Sequence, residues 1–152
     1  MKLYLVQHGE ATSKDLNPER PLTEKGIQDV KKVSVFLKQA NININTISHS
    51  GKKRARETAS ILANALSPNR PSVQKEGLAP NDPIDNIYKE ILEKDKDLMI
   101  VGHLPHLAKL TSKLLLNSED KHIIEFKPGS VLLLEKTQDY WKVVWFIIPE
   151  LF

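Results

Sequence analysis

The chain has 152 residues, of which 40% are hydrophobic and 27% charged, with no cysteine and a formal net charge of +3. That balance fits one globular domain over residues 1–152 with a full core, and it excludes a fibre or a disordered chain. Without cysteine there are no disulfides, thiolate nucleophiles or Cys-based zinc sites, and a small positive charge interspersed with acids gives no footprint for nucleic acid.

The first predicted element is a strand, Leu3–Gln7, running into Gln7-His8-Gly9-Glu10-Ala11. Its apolar run is too short for a secretory signal, and no later stretch approaches the roughly 20 residues of a membrane span, so a cytoplasmic protein with no membrane partner is expected. A helix follows from about Thr23 to Ala40: Ile27, Val30, Val33 and Leu37 recur at helical spacing, with Lys25, Asp29, Lys32 and Lys38 on the other side. Strand Ile44–Ser48 and a helix from about Lys52 to Leu66, with Ala55, Ala59 and Leu62 on its apolar face, come next. Two proline-punctuated breaks, Ser67–Pro71 and Ala79–Pro83, flank a short extended piece at Val73 and lead to a helix carrying Ile84, Ile87, Ile91 and Leu92.

Leu98–Val101 reads as another buried strand, and Pro105 fits the first turn of a helix reaching Leu116. Pro128-Gly129 turns into strand Val131–Glu135, and Gln138-Asp139 tips a closing hairpin returning along Trp141–Ile148, with Trp141 and Trp145 on one face as sheet packing. The alternation of strands and helices predicts an α/β fold, a three-layer α/β/α sandwich with a mostly parallel central sheet.

Chemistry concentrates at strand ends. His8 follows the first strand and His103, in Met99-Ile100-Val101-Gly102-His103, follows another, which is where α/β proteins carry functional groups. A neutral imidazole held at one nitrogen presents the lone pair of the other to phosphorus. Arg54, at the start of the Lys52–Leu66 helix, brings a planar fork of donors to a region that already favours anions. Each residue has a plainer reading: a lone strand-end histidine is ordinarily structural, and Arg54 stands in a basic run with Lys52, Lys53 and Arg56. Ser50 reads as a helix cap and Glu10 as a loop anchor. His106 invites a metal reading but has no acidic third ligand nearby, so neither metal nor cofactor is expected.

Taken together, these motifs resemble the histidine phosphatase superfamily, which includes phosphoglycerate mutase, and within it the small SixA-like phosphohistidine phosphatases. Gln7-His8-Gly9-Glu10 stands where the family has Arg-His-Gly and an acidic residue. Arg20-Pro21-Leu22-Thr23-Glu24-Lys25-Gly26 resembles its Arg-Pro-Leu-Thr-x-x-Gly element, Ser50 through Thr58 its Ser-x-x-x-Arg-Ala-x-Gln-Thr pattern, and Val101–Pro105 the strand ending in its second histidine.

The resemblance implies a phosphoglycerate mutase-like fold without a large lid insertion, since only about thirty residues lie between Arg54 and Ile84. It implies His8 as the nucleophile, with Arg54, His103 and the residue at position 7 binding phosphate, and water hydrolysing a phosphohistidine intermediate. A shallow pocket then suits a phosphorylated protein. Position 7 departs from the family: Gln7 keeps amide donors but loses the charge, for which Lys14, Lys52 or Lys53 are candidate replacements. Asp82 or Glu76, with Asp85 beside them, are the candidates for a general acid. Alternatives are a phosphatase for small phosphoesters and a phosphate-binding pseudoenzyme.

Overall fold

The structure, a computed structural model, describes residues 1–152. Its elements in chain order are β1 (Lys2–Gln7), α1 (Glu24–Gln39), β2 (Thr46–His49), α2 (Lys53–Leu66), β3 (Val73–Gln74), α3 (Asp85–Glu93), β4 (Leu98–Gly102), α4 (His106–Leu116), β5 (Val131–Lys136) and β6 (Trp141–Ile147), closed by a 3-10 turn at Pro149–Leu151. The six strands form one sheet in the order β3-β2-β4-β1-β5-β6. β1 to β4 are mutually parallel where they pair, and β5 runs antiparallel to both its neighbours.

β1 is a continuous apolar run because both faces of the sheet are covered. Tyr4 and Val6 point to one side, into a core with Val30, Val33 and Leu37 of α1 and Ala55, Ala59 and Leu62 of α2. Leu3 and Leu5 point to the other, into a core with Ile87 and Ile91 of α3 and Leu107, Leu110 and Leu114 of α4. Burying each such Leu or Ile contributes roughly 1.5–3 kcal/mol, so the two cores together fix the sandwich of three layers. No helix is long and apolar enough to cross a membrane.

Thr23 caps α1, its side chain accepting from Gly26 N–H, so the helix proper starts at Glu24. β2 lies about two residues later than its apolar pattern suggests, since its pairing with β4 runs from Thr46↔Leu98 to His49↔Val101. Asp29 is buried rather than on the solvent side of α1, because Lys25 Nζ bonds its carboxylate at 2.6 Å and carries its charge to the surface. Pro105 precedes α4 instead of opening its first turn.

Trp141 and Trp145 lie on opposite faces, contrary to the reading of the strand as a regular alternation. Leu133 pairs with Trp145 but Leu134 pairs with Val143, a bulge that shifts the register within β6. Trp141 therefore joins the α3/α4 core, while Trp145 packs against the α1/α2 core and tilts over Tyr4 at 6.1 Å.

Candidate active site

Three parallel strands, β1, β4 and β2, end on the same edge of the sheet, the edge where open α/β sheets bind ligands. Because Gln7 pairs with Gly102, the next residues in each strand bring His8 and His103 alongside one another, with His8 N–H on the Gly102 carbonyl at 3.1 Å and ring centroids 5.0 Å apart. After β2 the chain passes Ser50 and enters α2, whose first turn carries Arg54.

α2 holds this edge together. Thr58, fully buried, donates to the Arg54 carbonyl (2.8 Å) and accepts from Gly9 N–H (3.0 Å), so one turn of helix ties the loop behind His8 to the backbone of Arg54. Glu57 accepts from Leu22 N–H at 2.8 Å, and Thr23 donates to Glu10 at 2.6 Å, joining the 20–23 segment to both α2 and the His8 loop. Glu10 is thus a loop anchor, as its sequence context suggests. Gly9 and Gly26 are glycines for lack of room: a Cβ on Gly9 would lie 2.9 Å from Val30, and one on Gly26 would lie 2.2 Å from the Glu10 carbonyl.

His8 is held in one tautomer. A carbonyl oxygen can only accept, so the 2.8 Å contact of Nδ1 with the Gly9 carbonyl puts the proton on Nδ1. That leaves Nε2 unprotonated, and Arg54 Nε donates to its lone pair at 3.3 Å. Burial, against the Gly9 bond and with the charges of Arg54 and Arg20, pushes His8 down to about 4, so the ring is neutral at pH 7. His103 is almost fully buried, and its Nε2 lies 2.6 Å from Ser50 Oγ. Burial and the charges around it, first His8 and Arg54, push it down to about 3. Its Nδ1 is buried without a partner, as is Oε1 of Gln7, two polar atoms the protein itself leaves unanswered at this edge.

The structure thus gathers His8, Arg54 and His103, and adds residues that sequence reasoning passed over. Ser50 lies ahead of the α2 cap position, held by Lys52, and its hydroxyl faces His103, so it is not the helix cap that its position suggests. Arg20 bears electrostatically on both His8 and Arg54. The Arg20-Pro21-Leu22-Thr23 motif was the available signal for it. Of the lysines considered as replacement charges, Lys53 is engaged with Glu19 at 3.1 Å, Lys14 is exposed, and Lys52 is exposed with its charge bearing on His103.

The candidate acids stand elsewhere. Asp82 accepts from Ala79 N–H at 2.9 Å, and Glu76, Asp82 and Asp85 line a separate cleft of about 430 Å³. No carboxylate is among the charges that shift His8 or His103. The reason is local: the turn at Ala79–Asp82 closes on its own carboxylate, which turns that side chain back onto its loop.

Residues 3–80 match the family model described as histidine phosphatase superfamily, branch 1. An uncharacterised protein of Picosynechococcus is 33% identical over 139 residues, covering 86% of this chain and 83% of its own. Among solved structures, the protein histidine phosphatase SixA complexed with tungstate superposes with a TM-score of 0.83 at 20% identity, covering 98% of this chain and 97% of that one. A phosphoserine phosphatase mutant of Entamoeba histolytica in complex with phosphoserine superposes with a TM-score of 0.72 at 17% identity, covering 95% of each chain.

Proposed function

The chain belongs to the histidine phosphatase superfamily, and on that premise we propose that it is a metal-independent phosphatase acting on phosphohistidine in a partner protein, through a phosphohistidine on His8. The observation that carries this reading is the state of His8: Nδ1–H on the Gly9 carbonyl, an unprotonated Nε2 that accepts from Arg54 Nε, and a neutral ring at pH 7.

In the first step the Nε2 lone pair forms a bond to phosphorus as the substrate's P–N bond breaks, and the departing imidazole keeps the bonding pair. That imidazole leaves neutral when its other nitrogen carries a proton, so no strong dedicated acid is required. Water then attacks phosphorus; the His8 P–N bond breaks with its pair returning to Nε2, and both water hydrogens leave with the phosphate. Arg54 donates to the equatorial oxygens throughout. His103 is neutral in the free protein, and the negative charge of a bound phosphate favours its protonated, doubly donating form.

Two observations favour a protein substrate. The 67–84 segment is spent on the fold and supplies no lid: Val73–Gln74 pairs with β2, and Leu78 is fully buried. An apolar side chain is offered to solvent next to the site: Leu104, which follows His103 in the chain, is 41% exposed. Structural likeness to a phosphoserine phosphatase and to a putative α-ribazole phosphatase of Escherichia coli supports the alternative of a small phosphoester substrate.

Turnover of a phosphohistidine-bearing protein, free phosphohistidine and an aryl phosphate, each with and without EDTA, tests the proposal. Fastest turnover of the protein substrate, unmoved by chelation, is expected. A preference for the aryl ester favours the small-molecule reading, and phosphate binding without turnover favours the pseudoenzyme.

A further inference from the structure

We propose that the outer face of α1, together with the start of α2, is the surface on which the phosphorylated partner protein docks, and that this partner presents an acidic, partly apolar surface beside its phosphohistidine. The inference rests on the reading of a protein substrate and goes beyond it by naming where, and by what chemistry, that protein is recognised.

Two open clefts follow one another along α1 and share Lys31. The first, about 350 Å³, runs between α1 and α2, with Ile27 and Ile61 as its apolar walls and Lys31 and Arg56 as its cations. The second, about 410 Å³, lies along the outer face of α1 beside Phe152 and holds Lys31, Lys32, Val35 and Phe36. Helical spacing accounts for the arrangement: the core takes Val30, Val33 and Leu37, which leaves Lys31, Lys32 and Val35 on the opposite side. On that side a surface helix ordinarily carries polar residues. Here Val35 is 52% exposed, Phe36 37% and Phe152 43%, and the two phenyl rings lean on one another with centroids 4.8 Å apart. Such a cluster of apolar side chains rimmed by cations marks an interaction site, unlike apolar residues scattered singly.

The charge of this face says what covers it. Lys31, Lys32 and Arg56 are in no ion pair, although six other lysines of the chain are. Lys31 and Lys32 stand about two turns before the end of α1, where the macrodipole gives a cation nothing; Lys38 is the basic residue of the last turn. The one carboxylate lining either cleft, Glu57, is spent on Leu22 N–H at 2.8 Å. The face is thus positive and unbalanced, which suits an acidic partner, whereas a second copy of the same face would set like charge against like. Its concave clefts receive the side chains of a folded protein, and a lipid surface offers none. The face also joins the catalytic edge: Arg56 follows Arg54 by two residues on α2, and Leu22, held by Glu57, precedes Thr23, which is tied to Glu10 in the His8 loop. From Ile27 to Gln39 it extends about 18 Å, enough for a short helix or strand of the partner.

The test is steady-state turnover of one small helical carrier protein phosphorylated on a single histidine, made in two versions that surround this histidine with glutamates or with lysines. The glutamate version should have the lower KM, by about tenfold or more in dilute buffer, and the advantage should vanish at about 1 M salt. Lys31→Glu/Lys32→Glu, exposed exchanges between good helix formers, should keep the melting temperature and remove that preference. Lys89→Glu/Lys96→Glu, exposed on α3 and just after it, makes the same change in net charge and should keep the preference. Equal KM for the two versions in the wild type, a preference that survives Lys31→Glu/Lys32→Glu, or one lost equally in Lys89→Glu/Lys96→Glu overturns the proposal. So does an equal loss on free phosphohistidine, which is too small to span the face. Self-association, or sedimentation with anionic phospholipid vesicles, that Lys31→Glu/Lys32→Glu abolishes gives the face another occupant and overturns it as well. If neither carrier is turned over, calorimetric titration of the unphosphorylated glutamate carrier reads the face alone: binding that Lys31→Glu/Lys32→Glu abolishes keeps the docking surface and overturns only the phosphatase reading, and no binding overturns both.

Discussion

The segment that begins α4 borders two corners of opposite character. On one side His103 faces His8, and the fixed charges bearing on the pair, Arg54, Arg20 and Lys52, are all positive. One helical turn on, His106 lies 2.8 Å from the Gly77 carbonyl through Nε2 and feels Asp82, at the loop whose cleft Glu76, Asp82 and Asp85 line. Carboxylates are numerous nearby in sequence, yet none is among the charges that shift His8 or His103. A site that concentrates positive charge and holds its acids apart is suited to grip a phosphoryl group whose leaving group needs little help.

The comparison breaks most visibly at His8. His8→Asn should abolish turnover and phosphoenzyme formation on every substrate, measured by rapid-quench labelling, while a variant that still accumulates label would place the nucleophile elsewhere. Arg54→Gln should cost about two to three orders of magnitude in kcat, the loss of roughly 3–4 kcal/mol of charge stabilisation, with the fold retained because Thr58 is anchored through the Arg54 carbonyl rather than its side chain.

The acidic corner should answer far more weakly. Asp82→Asn is expected to lower phosphohistidine turnover by less than about threefold, since the leaving imidazole needs no dedicated acid. A loss of a hundredfold would bring that carboxylate into the chemistry after all. An aryl phosphate and an alkyl phosphate run in parallel sharpen the point: the alkyl ester, whose leaving group does need a proton, should be the poorest substrate of the wild type.

Acid should weaken the fold before it protonates His8. His8 and His103 are depressed from an ordinary 6.5 to about 4 and about 3, so below pH 6.5 the unfolded chain binds more protons than the folded one. Their contribution to stability is complete above 6.5 and is lost as pH falls through the folded-state values. Melting temperature should therefore decline steadily from pH 7 to pH 5, while initial rates at a temperature well below melting change by less than about threefold, because His8 stays neutral over that range. A rate that falls with an apparent value near 6.5 would mean that the His8 ring is not buried as described.

The sandwich, the two strand-end histidines and Arg54 were legible in the sequence because each follows from local pattern: two-sided apolar runs for β1 and β4, helical spacing in α1 and α2, and motif residues a few positions from a strand end. What was illegible depends on geometry at a distance. The opposite faces of Trp141 and Trp145 come from one bulge against Leu133 and Leu134. Arg20 acquires its place from a left-handed residue and from clamps reaching to Thr12 and, through Leu22, to Glu57, none of which spacing reveals. The carboxylates at 76–85 read as candidate acids because sequence cannot say which way a loop turns.

The account turns on one atom, Nε2 of His8. Trapping the phosphoenzyme with a phosphohistidine donor and reading the site and isomer by phosphorus NMR and peptide mapping tests it directly. The expected product is a single phosphoryl group on His8 at Nε2, since Nδ1 is committed to the Gly9 carbonyl. Phosphate on Nδ1, on another residue, or on none while turnover proceeds would contradict it.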